Sequence, residues 1–454
     1  MDENTYYDYF IKELEDGYKY FCLNKNILLN EKIIKEIEIY NCVIIEFGDD
    51  FNQPVDNLPS KIKKITFGDE FNQSVDNLPL EIEEIYFGRD FNKPVDNLPS
   101  KIKKITFGDV FNQPVDNLPS EIEKIYFGRD FNKPVDNLPS KIKELKFGYY
   151  YNQPVDNLPF GLKKLVLESK FNQLVDNLPP EIQELTFGSN FNQSVNNLPP
   201  KIKKLTFDWN FNQPIDNLPN NIQYLIFGYK FNQPLCDNLP PKLKQLTFDR
   251  EFNQPLCDNL PSEIEELYFG RDFNQPLCDN LPSKIKELTF GYYFNQPINN
   301  LPSGLKKLTF EGEFNQYVDN LPPEIQELTF GPSFNQPIDN LPAGLKSLIF
   351  RYDFNLPVDN LPSGLKILTF GAKFNQSVNN LPPKLQKITF GEKFNQPIDN
   401  LPCGVEELTL GEDFNQSLGT NLPKGLKRLI ISNNYTKTII HIPVTVNIIR
   451  NIIY

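Results

Sequence analysis

Apolar residues return at fixed places along most of this chain. From Phe51, a phenylalanine followed by asparagine recurs every 20 residues at 71, 91, 111 and 131, at Tyr151, and at 171, 191, 211 and 231. Three coils of 21 residues carry the series to 252, 273 and 294, and the 20-residue step then resumes through 314, 334, 354, 374, 394 and 414. These nineteen units share the consensus FNQPVDNLPSKIKKLTFGxx. With the phenylalanine as position 1, apolar residues fall at positions 1, 5, 8, 12, 15 and 17, as in Phe51, Val55, Leu58, Ile62, Ile65 and Phe67. Six apolar residues in one unit cannot close a core, but stacked units bury them against their neighbours. Positions 13–17, such as Lys63-Lys64-Ile65-Thr66-Phe67, alternate polar and apolar with β-branched and aromatic residues, which predicts one short strand. Gly68 at position 18 ends it, and Pro54 and Pro59 exclude helix from the return arc. The predicted fold is a mainly-β repeat solenoid: about 20 coils of 20–21 residues, one short parallel strand per coil, and little helix.

Phenylalanine is structural here, since positions 1 and 17 hold 34 of the 38 in the chain. Asn52 and Asn57 have counterparts in every unit. A buried return arc leaves backbone groups to be paired, and a stacked asparagine can serve one carbonyl and one amide of adjacent coils. Both columns are therefore expected to form internal ladders. Four sequons begin at Asn72, Asn192, Asn375 and Asn415 within the first ladder. Buried asparagines of an intracellular protein would stay unglycosylated.

The run LPxxLxxLxF resembles the leucine-rich repeat, and the FNQP signature is similar to the FNIP repeat family, a leucine-rich-repeat variant of social amoebae and amoeba-infecting giant viruses. The resemblance covers residues 51 to about 434. It implies an interaction role. Some family members carry an F-box ahead of the repeats, and residues 1–42 show no clear F-box pattern. The expected organisation is an N-terminal cap over 1–42, the solenoid over 43–434 and a degenerate closing coil over 435–454. Tyr6, Tyr9, Phe10 and Leu14 lie at helical spacing in the first segment, Val43–Gly48 matches the repeat strand, and Ile442-Pro443, Val446 and Ile449 echo the repeat at the far end.

Charges at positions 11, 13 and 14 change sign between early coils: Lys61, Lys63 and Lys64, then Glu81, Glu83 and Glu84, then Lys101, Lys103 and Lys104. Opposite charges across strands attract, so a self-neutralising seam is favoured over a charged binding face. Position 6 is Asp in fifteen of nineteen coils, from Asp56 to Asp399. Stacked carboxylates attract divalent cations, but one carboxylate per coil lacks converging ligands, so capping of backbone amides is the expected role. Cys236, Cys257 and Cys278 stack in three successive coils, each beside an extra residue. They read as a small-residue ladder, with soft-metal or disulfide chemistry as the alternative.

Net charge of −13 argues against nucleic acid and anionic membranes as partners. The start of the sequence has no signal-peptide core, no apolar run reaches eighteen residues, and six cysteines make no disulfide framework. An intracellular, cytoplasmic monomer is expected, in the host cytoplasm for a viral protein. The only histidine, His441, stands in the degenerate tail, and no phosphate loop, nucleophile elbow or metal-spaced cluster occurs. No cofactor and no enzyme activity are therefore expected. Position 16 is a threonine ladder in eleven coils. The least repetitive positions, 19 and 20, place Tyr149, Tyr150, Trp209, Tyr229, Tyr292, Tyr293 and Tyr352 along one rim. Exposed aromatics anchor interfaces. The expectation is a protein-interaction scaffold that uses this rim. Its rivals are a substrate receptor of a ubiquitin ligase acting through residues 1–42, and a structural component of a virion.

Overall fold

The computed structural model describes residues 9–14, 18–235, 239–256, 259–418, 422–439 and 446–451. They fall in two compact units, Met1–Gly228 and Tyr229–Tyr454.

The first unit opens with strand β1 (Tyr9–Glu13) paired antiparallel to β2 (Lys19–Leu23), followed by helix α1 (Glu31–Ile39), β3 (Cys42–Phe47) and β4 (Lys64–Thr66). Tyr9 and Phe10 thus stand in a strand where their spacing predicted helix, and Tyr6 lies outside the described residues. Four residues at helical spacing do not outweigh the demands of a neighbouring strand. What decides is β2, whose Phe21, Cys22 and Leu23 are buried and whose backbone needs a partner on its outer edge. β1 provides it, with Ile11 opposite Phe21. The cap's helix is further along. Asn30 starts it, its side chain accepting the amides of Lys32 and Ile33 at 3.0 and 3.1 Å. Ile33 and Ile37, one turn apart, enter the core.

Within this unit, from β3 onward, each strand pairs parallel with the next in constant register, Ile45 to Ile65 to Ile85. Most strands are only three or four residues long. Phenylalanines at positions 1 and 17 form two stacks. Phe71 and Phe91 are 6.0 Å apart, Phe67 and Phe87 are 5.6 Å apart, and Phe87 joins the columns by lying 3.8 Å from Phe91. Planes tilt by 10° or less in all three, and the separations along each column fall in the range of offset stacking. Tyr151 substitutes in the first stack. It is fully buried, its hydroxyl donates to the Pro154 carbonyl, and burial pushes its pKa well above the tyrosine range.

Gly68 and Gly88 do more than end a strand. A Cβ on Gly88 would overlap the Gly68 carbonyl, so this column sets how closely coils approach. Along this unit the position-2 asparagines extend Oδ1 to the next coil, as Asn52 does in accepting the Asn72 backbone amide at 2.9 Å. The Gln73 side chain donates to that same oxygen at 2.9 Å. This is the predicted ladder, with glutamine as an added rung, but its asparagines are half-buried, as at Asn72 and Asn192, or exposed, as at Asn152 and Asn415, where the sequence pointed to burial.

The second ladder is different. Asn57 is exposed and takes the left-handed conformation, with φ 66°, which asparagine tolerates better than most residues. Its counterpart Asn77 donates from Nδ2 to Asp56 at 2.9 Å. Position 7 is therefore an outer ladder, not an internal one. Among the described residues most position-6 carboxylates, such as Asp76 and Asp96, receive a side-chain amide of the following coil, where the sequence pointed to backbone capping.

The second unit repeats these devices. Leu288 pairs with Leu308, Phe294 stacks on Phe273 at 5.9 Å, and Asn295 donates its amide to Asn274 Oδ1 at 3.0 Å. The 21-residue coils keep strand register, Leu246 to Leu267 to Leu288. Cys278 is half-buried there, while Cys236 and Cys257 lie outside the described residues. Near the end, strand Arg428–Ser432 pairs parallel with Asn447–Asn451. Tyr435 continues the phenylalanine stack 6.1 Å from Phe414 and donates its hydroxyl to the Gln416 carbonyl. His441, Ile442 and Pro443 lie outside the described residues.

Candidate functional site

The rim is the short turn between the two phenylalanine columns, and its backbone is pinned. The amide at position 20 donates to the position-19 carbonyl of the previous coil, as from Tyr150 to Arg129 at 2.8 Å and from Tyr293 to Arg271 at 2.9 Å. Side chains project from this ladder with freedom to vary.

In the first unit Tyr149, Tyr150 and Trp209 are all exposed, Trp209 by 47%. Tyr149 and Tyr150 meet edge to face at 4.8 Å, and the Lys170 ammonium lies 5.6 Å over Tyr149. Asp208 replaces the usual glycine before Trp209. Its carboxylate accepts the Trp209 amide at 2.8 Å and the Ser189 hydroxyl at 2.6 Å, fixing the turn from which the indole projects.

In the second unit Tyr292, Tyr293 and Tyr352 are exposed and Tyr229 is half-buried. Each carries a cation. Arg250 lies 5.0 Å over Tyr229, Arg271 is 5.6 Å from Tyr292 and 5.2 Å from Tyr293, and Lys373 is 5.3 Å over Tyr352. Arg271 also donates to the Tyr293 hydroxyl at 3.1 Å. Sequence reasoning found the aromatics and missed these cations. The pairs run from one coil to the next, so the signal was present only in reading neighbouring columns together.

The charged seam is paired coil by coil. Lys101 reaches Glu81 at 2.6 Å, Lys103 reaches Glu83 at 2.7 Å, and Lys63 approaches the same Glu83 at 3.6 Å. The hydrogen bond from Lys103 holds the Glu83 carboxyl below its ordinary range. On the strand face Tyr86 lies between Lys64 and Lys104, at 4.8 and 4.9 Å. Nearby Tyr126 is pushed up to about 12 by burial and by Glu144. The half-buried threonines of position 16 share this face.

One open cavity of about 590 Å³ lies at the start of the first unit, lined by Tyr9, Phe10, Ile11, Glu13, Lys19, Glu36 and Tyr40. Tyr9 donates to Glu36 at 2.6 Å there. Among the described residues no three His, Cys, Asp or Glu side chains gather to hold a metal ion. No described helix is long and apolar enough to cross a membrane.

One parallel strand per coil and an asparagine ladder define a leucine-rich-repeat-like solenoid, a class of fold typical of protein-interaction scaffolds. The chain belongs to the FNIP-repeat family. Its "FNIP Repeat" model matches sixteen overlapping or adjoining stretches, from 40–70 and 51–90 to 374–413 and 394–434, which together run through 40–434. Among solved structures, the giant-virus protein CroV588, described as a novel circular leucine-rich-repeat protein, is 36% identical with a TM-score of 0.83. That likeness covers 95% of this chain and 72% of that one. YopM from Yersinia enterocolitica WA-314 is 15% identical with a TM-score of 0.44, covering 92% of this chain and 93% of its own. No curated protein matches.

Proposed function

We propose that this protein is a non-catalytic scaffold that engages a protein partner through its aromatic rim. One observation carries the reading: the rim presents tyrosine and tryptophan from pinned backbone at positions that vary, while the positions on either side repeat. Rigid aromatics exposed in this way give contact area at little entropic cost. Net charge of −13 disfavours nucleic acid and anionic membranes as the partner, and the reading places an intracellular monomer in the cytoplasm. The test is affinity capture with the tagged full chain beside a Trp209→Ala, Tyr229→Ala, Tyr292→Ala triple variant, with circular dichroism to verify the fold. A specific protein lost in the variant supports the rim. Equal capture by both sinks it, and capture of nothing favours a structural part in a particle.

A second reading has its own observation. The N-terminal segment exposes Phe10, Leu28, Ile39 and Tyr40, Ile39 by 76%. A surface of this kind suits an adaptor of a ubiquitin ligase. Replacing Ile39 and Tyr40 with serine should then remove the adaptor while rim-dependent capture persists. An adaptor retained by that variant would eliminate this reading.

A further inference from the structure

The sequence Gly-Arg-Asp-Phe-Asn occurs at 88–92, 128–132 and 270–274. After the second and third copies the next coil brings a tyrosine pair to the rim, Tyr149-Tyr150 and Tyr292-Tyr293. After the first it brings Asp109 and Val110. The arginines adopt two arrangements. Arg89 and Arg129 each hold the adjacent carboxylate, Asp90 and Asp130, at 2.9 Å. Arg271 has left the equivalent Asp272 and lies across Tyr292 and Tyr293. Arg250, one coil earlier, lies over Tyr229. Neither Arg250 nor Arg271 has a carboxylate within ion-pair distance among the described residues, whereas the seam lysines are largely paired.

One arm in one local sequence thus takes either a carboxylate or an aromatic face. An exposed ion pair and an exposed cation–π contact are of similar small worth, so neither arrangement commits the guanidinium. An incoming carboxylate can recruit it, because the planar fork matches that group in two parallel hydrogen bonds. We propose that Arg129 with Tyr149 and Tyr150, and Arg271 with Tyr292 and Tyr293, are two copies of one docking site for an acidic peptide segment of the partner protein. The guanidinium takes a carboxylate of the segment, the tyrosine faces cover its neighbouring residues, and in the second copy Arg250 adds a further cation. In the first copy Asp130 occupies the place of the ligand. Asp109 accepts the Arg129 backbone amide at 3.4 Å, and Glu251 and Asp272 follow Arg250 and Arg271 in the chain, so recognition rests on the match of the guanidinium fork to a carboxylate and not on an excess of positive charge. The site rests on the rim reading above and names its partner's chemistry.

The test is fluorescence anisotropy of a labelled oligoglutamate peptide with the full chain, with oligo(dT) as the competing polyanion. The wild type should bind oligoglutamate, more weakly as salt rises. The Arg250→Gln, Arg271→Gln double variant should lose affinity about tenfold. Asp130→Asn should gain about threefold by releasing Arg129. Asp90→Asn makes the same change of charge beside an arginine without tyrosines and should leave binding unchanged. No binding by the wild type, equal gains in the two Asp→Asn variants, or preference for oligo(dT) would each overturn the site. Rim-dependent protein capture by a chain that ignores oligoglutamate ends this inference and leaves the rim reading standing. Loss of both ends both.

Discussion

Phe147 and Tyr151 are fully buried, while Tyr149 and Tyr150 between them are exposed by 39% and 47%. The wall and the rim are thus built from adjacent residues under opposite rules. In the wall each side chain meets its own kind one coil away. A change of volume is felt on both sides, because interiors pack as densely as crystals. In the rim the backbone is held by the ladder from coil to coil, and the side chains answer to nothing inside the coil. Order and variation are separated by one peptide bond, and candidate function lies where the period relaxes.

The sharpest way to break that comparison is Phe91→Ala. Phe91 is fully buried and stacked on Phe71 and Phe111 at 6.0 Å, so truncation should cost about 4 kcal/mol, read as a lower urea midpoint. A loss as small as a rim variant's would show that the wall is not the source of stability. Asn72→Ala comes next. It removes the acceptor of the Asn92 amide, 3.0 Å away and half-buried, and should cost about 1 to 2 kcal/mol. Serine at that position should do no better, since its hydroxyl is too short to reach the next coil. The smallest effect belongs to the seam. Lys103 holds the Glu83 carboxyl below its ordinary value of 4.5. The pair's contribution is complete above that value and is lost as pH falls through the depressed one. Acid titration of the urea midpoint should show this slope in the wild type and a shallower one in Glu83→Gln. Identical slopes would assign the seam no part in stability.

The wall was legible in the sequence because its information is one-dimensional. Ile65, Phe67, Gly68 and Phe71 each recur alone, and the strand follows from their alternation. Asn57 was not legible, since asparagine is the same letter whether it bonds a buried amide or turns left-handed at the surface. Tyr9 and Phe10 were misplaced because a strand on an open edge is decided by its neighbour, here Phe21. The rim aromatics stood out as departures from the consensus. Arg250 and Arg271 passed unnoticed because their partners sit a whole coil away.

The constant strand register has a consequence for inheritance. Since Ile65 meets Ile85 as Leu288 meets Leu308, one coil can follow almost any other. Unequal exchange between copies within the coding sequence can delete or add a whole coil and leave every remaining junction of a kind already present. Even the extra residue of the 21-residue coils falls outside the strand and was copied without disturbing it. Length is then cheap to change in this protein, and a rim of new composition can arise by reshuffling coils before any single residue is substituted.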